Sequence, residues 1–237
     1  MTQLLIILIV FLAVFTQSLS GFGSALVAMA LLPELVGMSV ATPFVAVMAM
    51  TVEGILLVRY RTALNLRAVW RVAAASLVGI PLGMFILKRI DENAAMTVLG
   101  VVIVGYALYA FFELKPPALS HPSWAYAFGL LAGMLGGAYN TSGPPVVVYG
   151  NSQRWLPAEF KSNLQGFFFL NSVLVVSGHA LSHNLTPVVW QNYGYALPAL
   201  GLGILSGVSL DRLIDPGIFR KIVLVLLLVM GARMVLF

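Results

Sequence analysis

Gly136-Gly137-Ala138-Tyr139-Asn140-Thr141-Ser142-Gly143-Pro144-Pro145 interrupts an otherwise apolar stretch running from 123 to 150. Glycine admits backbone angles that end a helix. Proline lacks an N–H and is harmless to a helix only in its first turn. The pattern predicts a helix that stops near Tyr139 and restarts at Pro144, with Ser142 or Gly143 at the cap. Whether 123–150 then crosses a membrane or turns back decides the orientation of everything after it.

Composition supplies the membrane. A chain of 237 residues that is 60% hydrophobic and 9% charged cannot coat a soluble domain. Apolar runs approaching the roughly 20 residues a spanning helix needs lie near 3–20, 40–58, 70–87, 94–113, 163–181, 188–208 and 218–237. No Lys or Arg precedes the first run, and the first cation is Arg59, so that run reads as mature structure and not as a secretory signal. Cysteine is absent, which excludes disulfides, cysteine nucleophiles and thiolate metal sites together. The net charge of +5 is carried in short loops between apolar runs, so it reads as a topology signal and not as a nucleic-acid surface.

Those cations choose between two architectures. They fall at Arg59, Arg61, Arg67 and Arg71, at Lys88 and Arg89, at Lys115, at Arg154 and Lys161, at Arg212, Arg220 and Lys221, and at Arg233. If 3–32 and 123–150 each crossed once, they would divide almost evenly between the two sides. If 123–150 enters and leaves on one side, most become cytoplasmic, as the positive-inside rule demands. The two halves then run in opposite orientations, the inverted-repeat plan of many secondary transporters. By symmetry 3–32 reads as the matching hairpin, broken at Ser20-Gly21-Phe22-Gly23-Ser24, with its start outside; that stretch has no charge to test the reading.

A near-duplication supports two halves. Gly79-Ile80-Pro81-Leu82-Gly83 followed by Lys88-Arg89-Ile90-Asp91 recurs as Gly203-Ile204-Leu205-Ser206-Gly207 followed by Arg212-Leu213-Ile214-Asp215. The expected fold is an all-α polytopic membrane protein with two inverted repeats, each a broken or re-entrant hairpin plus three transmembrane helices. The first repeat covers 1–115, with hairpin 3–32 and helices 40–58, 70–87 and 94–113. The second covers 123–237, with hairpin 123–150 and helices 163–181, 188–208 and 218–237.

A broken helix survives at membrane depth only where it is buried in protein or lines a wet cavity. Its unpaired N–H groups and the positive end of its dipole favour an anion. Two such breaks, facing each other near the midplane as a bent pair of short helices each, would hold a small anion without a buried Arg or Lys. The candidate substrate residues are Gly21, Phe22, Gly23 and Ser24 at the first break, and Gly137, Asn140, Thr141, Ser142, Gly143 and Pro144 at the second. Gln165 and Asn171 on the following helix are candidate lining residues, with interhelical hydrogen bonding as their other reading. The pairs Gly79/Gly83, Gly129/Gly133 and Gly203/Gly207 have the spacing of close helix packing and are assigned to it. Glu53 lies in an apolar helix, either as a carboxylate near the inner surface within reach of Arg59 or as a proton-coupling acid. His179, His183, Trp124, Trp155 and Trp190 fall near span ends and read as interfacial.

The Ser20-to-Ser24 turn, its glycine-rich counterpart running to Pro144-Pro145, and the duplicated four-segment layout resemble the TauE/SafE family over essentially the whole chain. The resemblance implies export of a small sulfur-containing oxyanion, sulfite or an organosulfonate such as sulfoacetate, across the inner (plasma) membrane. It implies no bound cofactor and no nucleic-acid partner; self-association is left open. The chain departs from the family's glycine runs at Gly23-Ser24-Ala25 and at Ala138-Tyr139-Asn140-Thr141-Ser142-Gly143, where side chains would face the substrate. Two other readings differ in kind. One is a transporter of a non-sulfur anion. The other is an intramembrane serine hydrolase using Ser142 and His179, although Asn140 stands where a nucleophile elbow has glycine.

Overall fold

A computed structural model of the chain describes residues 2–114, 116–210 and 216–236. Lys115 and the stretch Arg212-Leu213-Ile214-Asp215 lie outside the described residues. Among the described residues the chain is helical throughout, without strands. The helices are α1 (Thr2–Ser20), α2 (Ser24–Leu31), α3 (Pro33–Val36), α4 (Met38–Tyr60), α5 (Leu66–Leu87), α6 (Glu92–Phe111), α7 (Ser123–Tyr139), α8 (Gly143–Ser152), α9 (Pro157–Leu181), α10 (Pro187–Leu210) and α11 (Pro216–Leu236). Six helices among the described residues are long and apolar enough to cross a membrane: α1, α4 with the turn after it, α5, α6, α9 and α10. Their starts are punctuated locally. Asp91 caps α6 by accepting the Ala94 N–H at 2.9 Å, Asn65 caps α5, and prolines open α3, α8 and α9.

The chain forms two compact units that do not follow its two halves. One contains Ala46–Lys88 and Lys115–Asn184, and so holds most of α4 with α5, α7, α8 and α9. Here α5 and α7 run side by side in the same direction along a seam of small residues. A Cβ built on Gly129 would lie 2.3 Å from the Val72 carbonyl oxygen, one on Gly133 2.5 Å from that of Ser76, and one on Gly137 2.1 Å from that of Ile80. From the other side, a Cβ on Gly83 would stand 2.0 Å from the Met134 carbonyl oxygen. Only hydrogen fits between these backbones, so the packing expected of Gly79/Gly83 and Gly129/Gly133 is the observed one. The N-terminal end of α9 joins this unit through Ser162, which donates to the Tyr60 carbonyl at 2.7 Å, and Asn163, which accepts the Asn65 N–H at 2.8 Å. The far ends of α5 and α9 meet where Lys88 donates to Ser182 at 3.0 Å. Thus α9 is parallel to α5.

The other unit contains Met1–Val45, Arg89–Leu114 and Leu185–Phe237, and so holds α1, α2, α3, α6, α10 and α11. Helix α1 lies along α10 in the same direction: a Cβ on Gly203 would meet Val14 and the Phe11 carbonyl, and one on Gly207 would meet Ser18 and the Phe15 carbonyl. Helices α6 and α11 pack antiparallel through Gly100 and Gly231. In both units, then, a helix carrying the duplicated Gly-Ile-x-x-Gly receives the broken hairpin that belongs to the other half of the sequence.

Candidate substrate site

The second break is built from the end of α7. Tyr139 is its last residue, and Asn140 closes it in the left-handed region with φ 57°. The Asn140 N–H donates to the Gly136 carbonyl at 2.8 Å and the Thr141 N–H to that of Leu135 at 3.2 Å. Helix α8 starts at Gly143 with Ser142 at its N-cap, as expected, but the Ser142 side chain makes no capping bond. The limbs are unequal and not both short: α7 has 17 residues and α8 has 10. They fold back on each other. Gln153, just beyond α8, donates to the carbonyl of Leu119, just before α7, at 2.7 Å, and the Phe128 and Tyr149 rings lie 6.0 Å apart. The hairpin therefore begins and ends at the same place.

Around this turn two buried polar atoms lack a hydrogen-bond partner: Thr141 Oγ1 and Asn171 Oδ1. Asn171 Nδ2 donates to the Phe167 carbonyl at 2.9 Å, which fixes the amide, and its Oδ1 lies 3.8 Å from a Cβ built on Gly136. The Ser142 Cβ lies 3.3 Å from that same position, so Ser142, Gly136 and Asn171 share one small space. Gly143 borders Phe168, with room for a Cβ at 3.8 Å. Buried polar atoms without partners are rare and costly, which makes this space the strongest candidate for a ligand. It differs from the expectation in one respect: Pro144 and Pro145 remove two backbone donors from the first turn of α8, so side chains carry more of the polarity than a bare helix start would. Gly137 belongs to the seam against Ile80 and does not open onto this space. Gln165 is fully buried, but stands seven residues from Ser172 and six from Asn171, so it shares a helix face with Ser172 and not with Asn171.

The first break is already occupied by the chain itself. Gly21 has φ 88° and Gly23 φ 107°, conformations that glycine adopts without strain. Helix α2 starts at Ser24, and the buried Gln17 reaches across from the last turn of α1. Its Oε1 accepts the Ser24 N–H at 3.3 Å and also the Ser24 hydroxyl. A neutral carboxamide oxygen thus sits where an anion was expected to meet this helix start. Phe22 packs edge-on against Tyr106 at 6.0 Å, and with Thr16, Ser20, Gly23 and Leu26 lines a small cavity whose walls are almost wholly apolar. Gln17 went unrecognised in the sequence because nothing distinguishes a glutamine that turns back over a break from one that packs elsewhere.

Two further residues are buried. Glu53 is 6% exposed and its carboxylate accepts a hydrogen bond from Ser172 on α9, with the Arg59 guanidinium instead lying over the Tyr60 ring. His179, in the last turn of α9, is 3% exposed; its Nδ1 lies 3.1 Å from Asn184 Nδ2, and its Nε2 has no partner. His183 is exposed, as are Trp124 and Trp190. Asn171 borders Ser142, whereas His179 lies eight residues further along α9, about 12 Å at helical rise. That separation argues against a Ser142–His179 dyad, which needs hydrogen-bond reach.

Six membrane-length helices among the described residues, together with a helix break that carries buried polar residues, define a polytopic helical membrane protein. Residues 6–234 match the family described as "Sulfite exporter TauE/SafE", and the chain belongs to that family. It is 28% identical over 233 residues to a protein of Cupriavidus necator named "Probable sulfite/organosulfonate exporter TauE", covering 93% of this chain and 88% of the relative. No solved structure matches the chain.

Proposed function

We propose that this protein is a secondary transporter of the inner (plasma) membrane that exports a small sulfur-containing oxyanion, sulfite or an organosulfonate such as sulfoacetate, by alternating access. Membership of an exporter family and the curated relative's name support the sulfur anion. The observation that carries the placement is the hairpin α7/α8, closed at its base by Gln153 and Leu119, with the unpartnered Thr141 Oγ1 in its turn and the unpartnered Asn171 Oδ1 of α9 3.8 Å from a Cβ built on Gly136. Asn140, Thr141, Ser142, Gly143 and Asn171 are the residues proposed to contact the substrate, with the N–H groups and hydroxyls donating to its oxygens. The asparagine amide orients around it. Gly21, Phe22, Gly23 and Ser24 are proposed to line the path, with the apolar wall at Phe22 suited to an organic substituent.

The two halves of the chain are proposed to be inverted repeats. In the cycle each hairpin moves together with the glycine-bearing helix it is seated on, since backbone contacts without side chains between them do not slide without opening a void. Outward movement of an anion is favoured by an interior-negative potential, by about 2.3 kcal/mol per charge per 100 mV. The test is binding to the purified protein and efflux from proteoliposomes, comparing sulfite, sulfoacetate, taurine, sulfate and carboxylates. Selective binding and efflux of sulfite or a sulfonate is expected; equal handling of carboxylates would refute the substrate class.

A further inference from the structure

Glu53 is the acidic group buried in the apolar interior of the unit that carries the second break, and it is held by α9, the helix that also carries Asn171. Its carboxylate is bonded to Ser172, the residue adjacent to Asn171, whose Oδ1 faces the space shared with Gly136 and Ser142. One step along α9 therefore separates the acid's partner from the substrate's.

Among the described residues no cation forms an ion pair with it. On α9, Glu159 accepts from Asn65, Lys161 lies over the Tyr60 ring, and His179 sits against Asn184. On α4 itself, Arg59 lies over Tyr60; on α5, Arg67 is exposed, Arg71 lies over Trp70, and Lys88 reaches Ser182. Helices α7 and α8 carry no Asp, Glu, Lys, Arg or His, only the tyrosines 126, 139 and 149 as titratable groups. An ionised carboxylate in that setting has one hydroxyl for a partner, and an oxyanion arriving at the tip of the hairpin adds a like charge within the same apolar unit, in a medium that screens it poorly.

Resting on the reading that the anion occupies the second break, we propose that anion binding drives proton uptake by Glu53, so that binding of substrate and protonation of Glu53 are linked. The proton comes from water and ends on a carboxylate oxygen of Glu53; the anion enters as it is, and no bond in it changes. Linkage is reciprocal: the protonated form of Glu53 binds the anion more tightly, and the bound anion holds the proton more tightly. Affinity falls as pH rises, because the ionised carboxylate then opposes the anion. A coupling of about tenfold in affinity between the two protonation states lies within the usual range for linked sites.

The probe is a fully ionised sulfonate, isethionate or sulfoacetate, used with the purified full chain in detergent, because such a ligand takes up no proton itself near neutral pH. Titration in weakly buffered solution with a pH electrode, or calorimetry in two buffers of different ionisation heat, is expected to show net proton uptake on binding that peaks at about half a proton per anion for a tenfold coupling, with an affinity that drops about tenfold from the acidic to the alkaline limit. In Glu53→Gln the uptake vanishes and the affinity no longer depends on pH. Ser172→Ala, which keeps the acid and removes only its hydroxyl partner, retains the uptake, and it serves if Glu53→Gln does not fold. Binding of the sulfonate to the native protein without proton uptake overturns the linkage, as does uptake that persists in Glu53→Gln. If Asn171→Ala binds normally while uptake still depends on Glu53, the placement of the anion fails and the linkage stands; the two outcomes are distinguishable.

Discussion

Gly133 on α7 faces Gly79 on α5 so closely that a Cβ on Gly133 would lie 2.9 Å from the Gly79 Cα and 2.5 Å from the Ser76 carbonyl oxygen. The hairpin α7/α8 is seated on α5 by this contact and its neighbours one turn away at Gly129 and Gly137.

Gly133→Ala and Gly83→Ala should each destabilise the protein by about 1–3 kcal/mol, the usual range for overpacking, because the clashing atoms are backbone and cannot swing aside. Gly105→Ala and Gly201→Ala meet nothing within 4 Å and should be neutral or slightly stabilising. Thermal unfolding of the four variants in detergent checks this; equal losses at all four would mean that the effect is not the seam.

Gln17→Leu should cost about 1–2 kcal/mol by leaving the first N–H of α2 and the Ser24 hydroxyl without their acceptor. Gln17→Glu retains the acceptor oxygens and should recover part of that loss. Comparison of unfolding midpoints decides it: a Gln17→Leu protein as stable as the parent would show that the cap contributes nothing.

Thr141→Val should weaken substrate binding about tenfold or more while leaving stability unchanged or improved, since it removes a buried hydroxyl that has no partner within the protein. Stability and affinity measured on the same preparation separate this from a folding defect. A bulky residue at Asn140 is the less clean test, because a left-handed φ of 57° strains it irrespective of any ligand.

Single cysteines placed at 119 and at 153 should be labelled from the same face of the membrane, and those at 88 and 182 together from the opposite one. The chain has no cysteine of its own to interfere. Labelling of 119 and 153 from opposite faces would remove the hairpin.

The breaks at Gly21–Gly23 and Asn140–Ser142 were legible in the sequence because turns are written locally, in residues that tolerate positive φ or lack an N–H. So were the glycine seams, since spacing along one helix fixes which residues share a face. The duplicated aspartate also finds its reason, at least in its first copy: Asp91 is the cap of α6. What local spacing does not contain is the choice of partner between helices. That Glu53 meets Ser172 and not Arg59, that Gln17 turns back over Ser24, and that His179 is buried all depend on which helix lies alongside, as does the exchange by which α5 takes the hairpin of the second half and α10 that of the first.

That exchange has a consequence for how the molecule is made. Val14 finds its mate at Gly203, about 190 residues later in synthesis, which at roughly 5–20 residues per second leaves α1 in the lipid for about 10–40 s with its seam uncovered. The hairpin at α7 has no such wait, for α5 has already been inserted when it emerges. Biogenesis is therefore lopsided: one unit can close while the ribosome is still at work, and the other depends on an early helix being kept from the wrong neighbours until translation is nearly over.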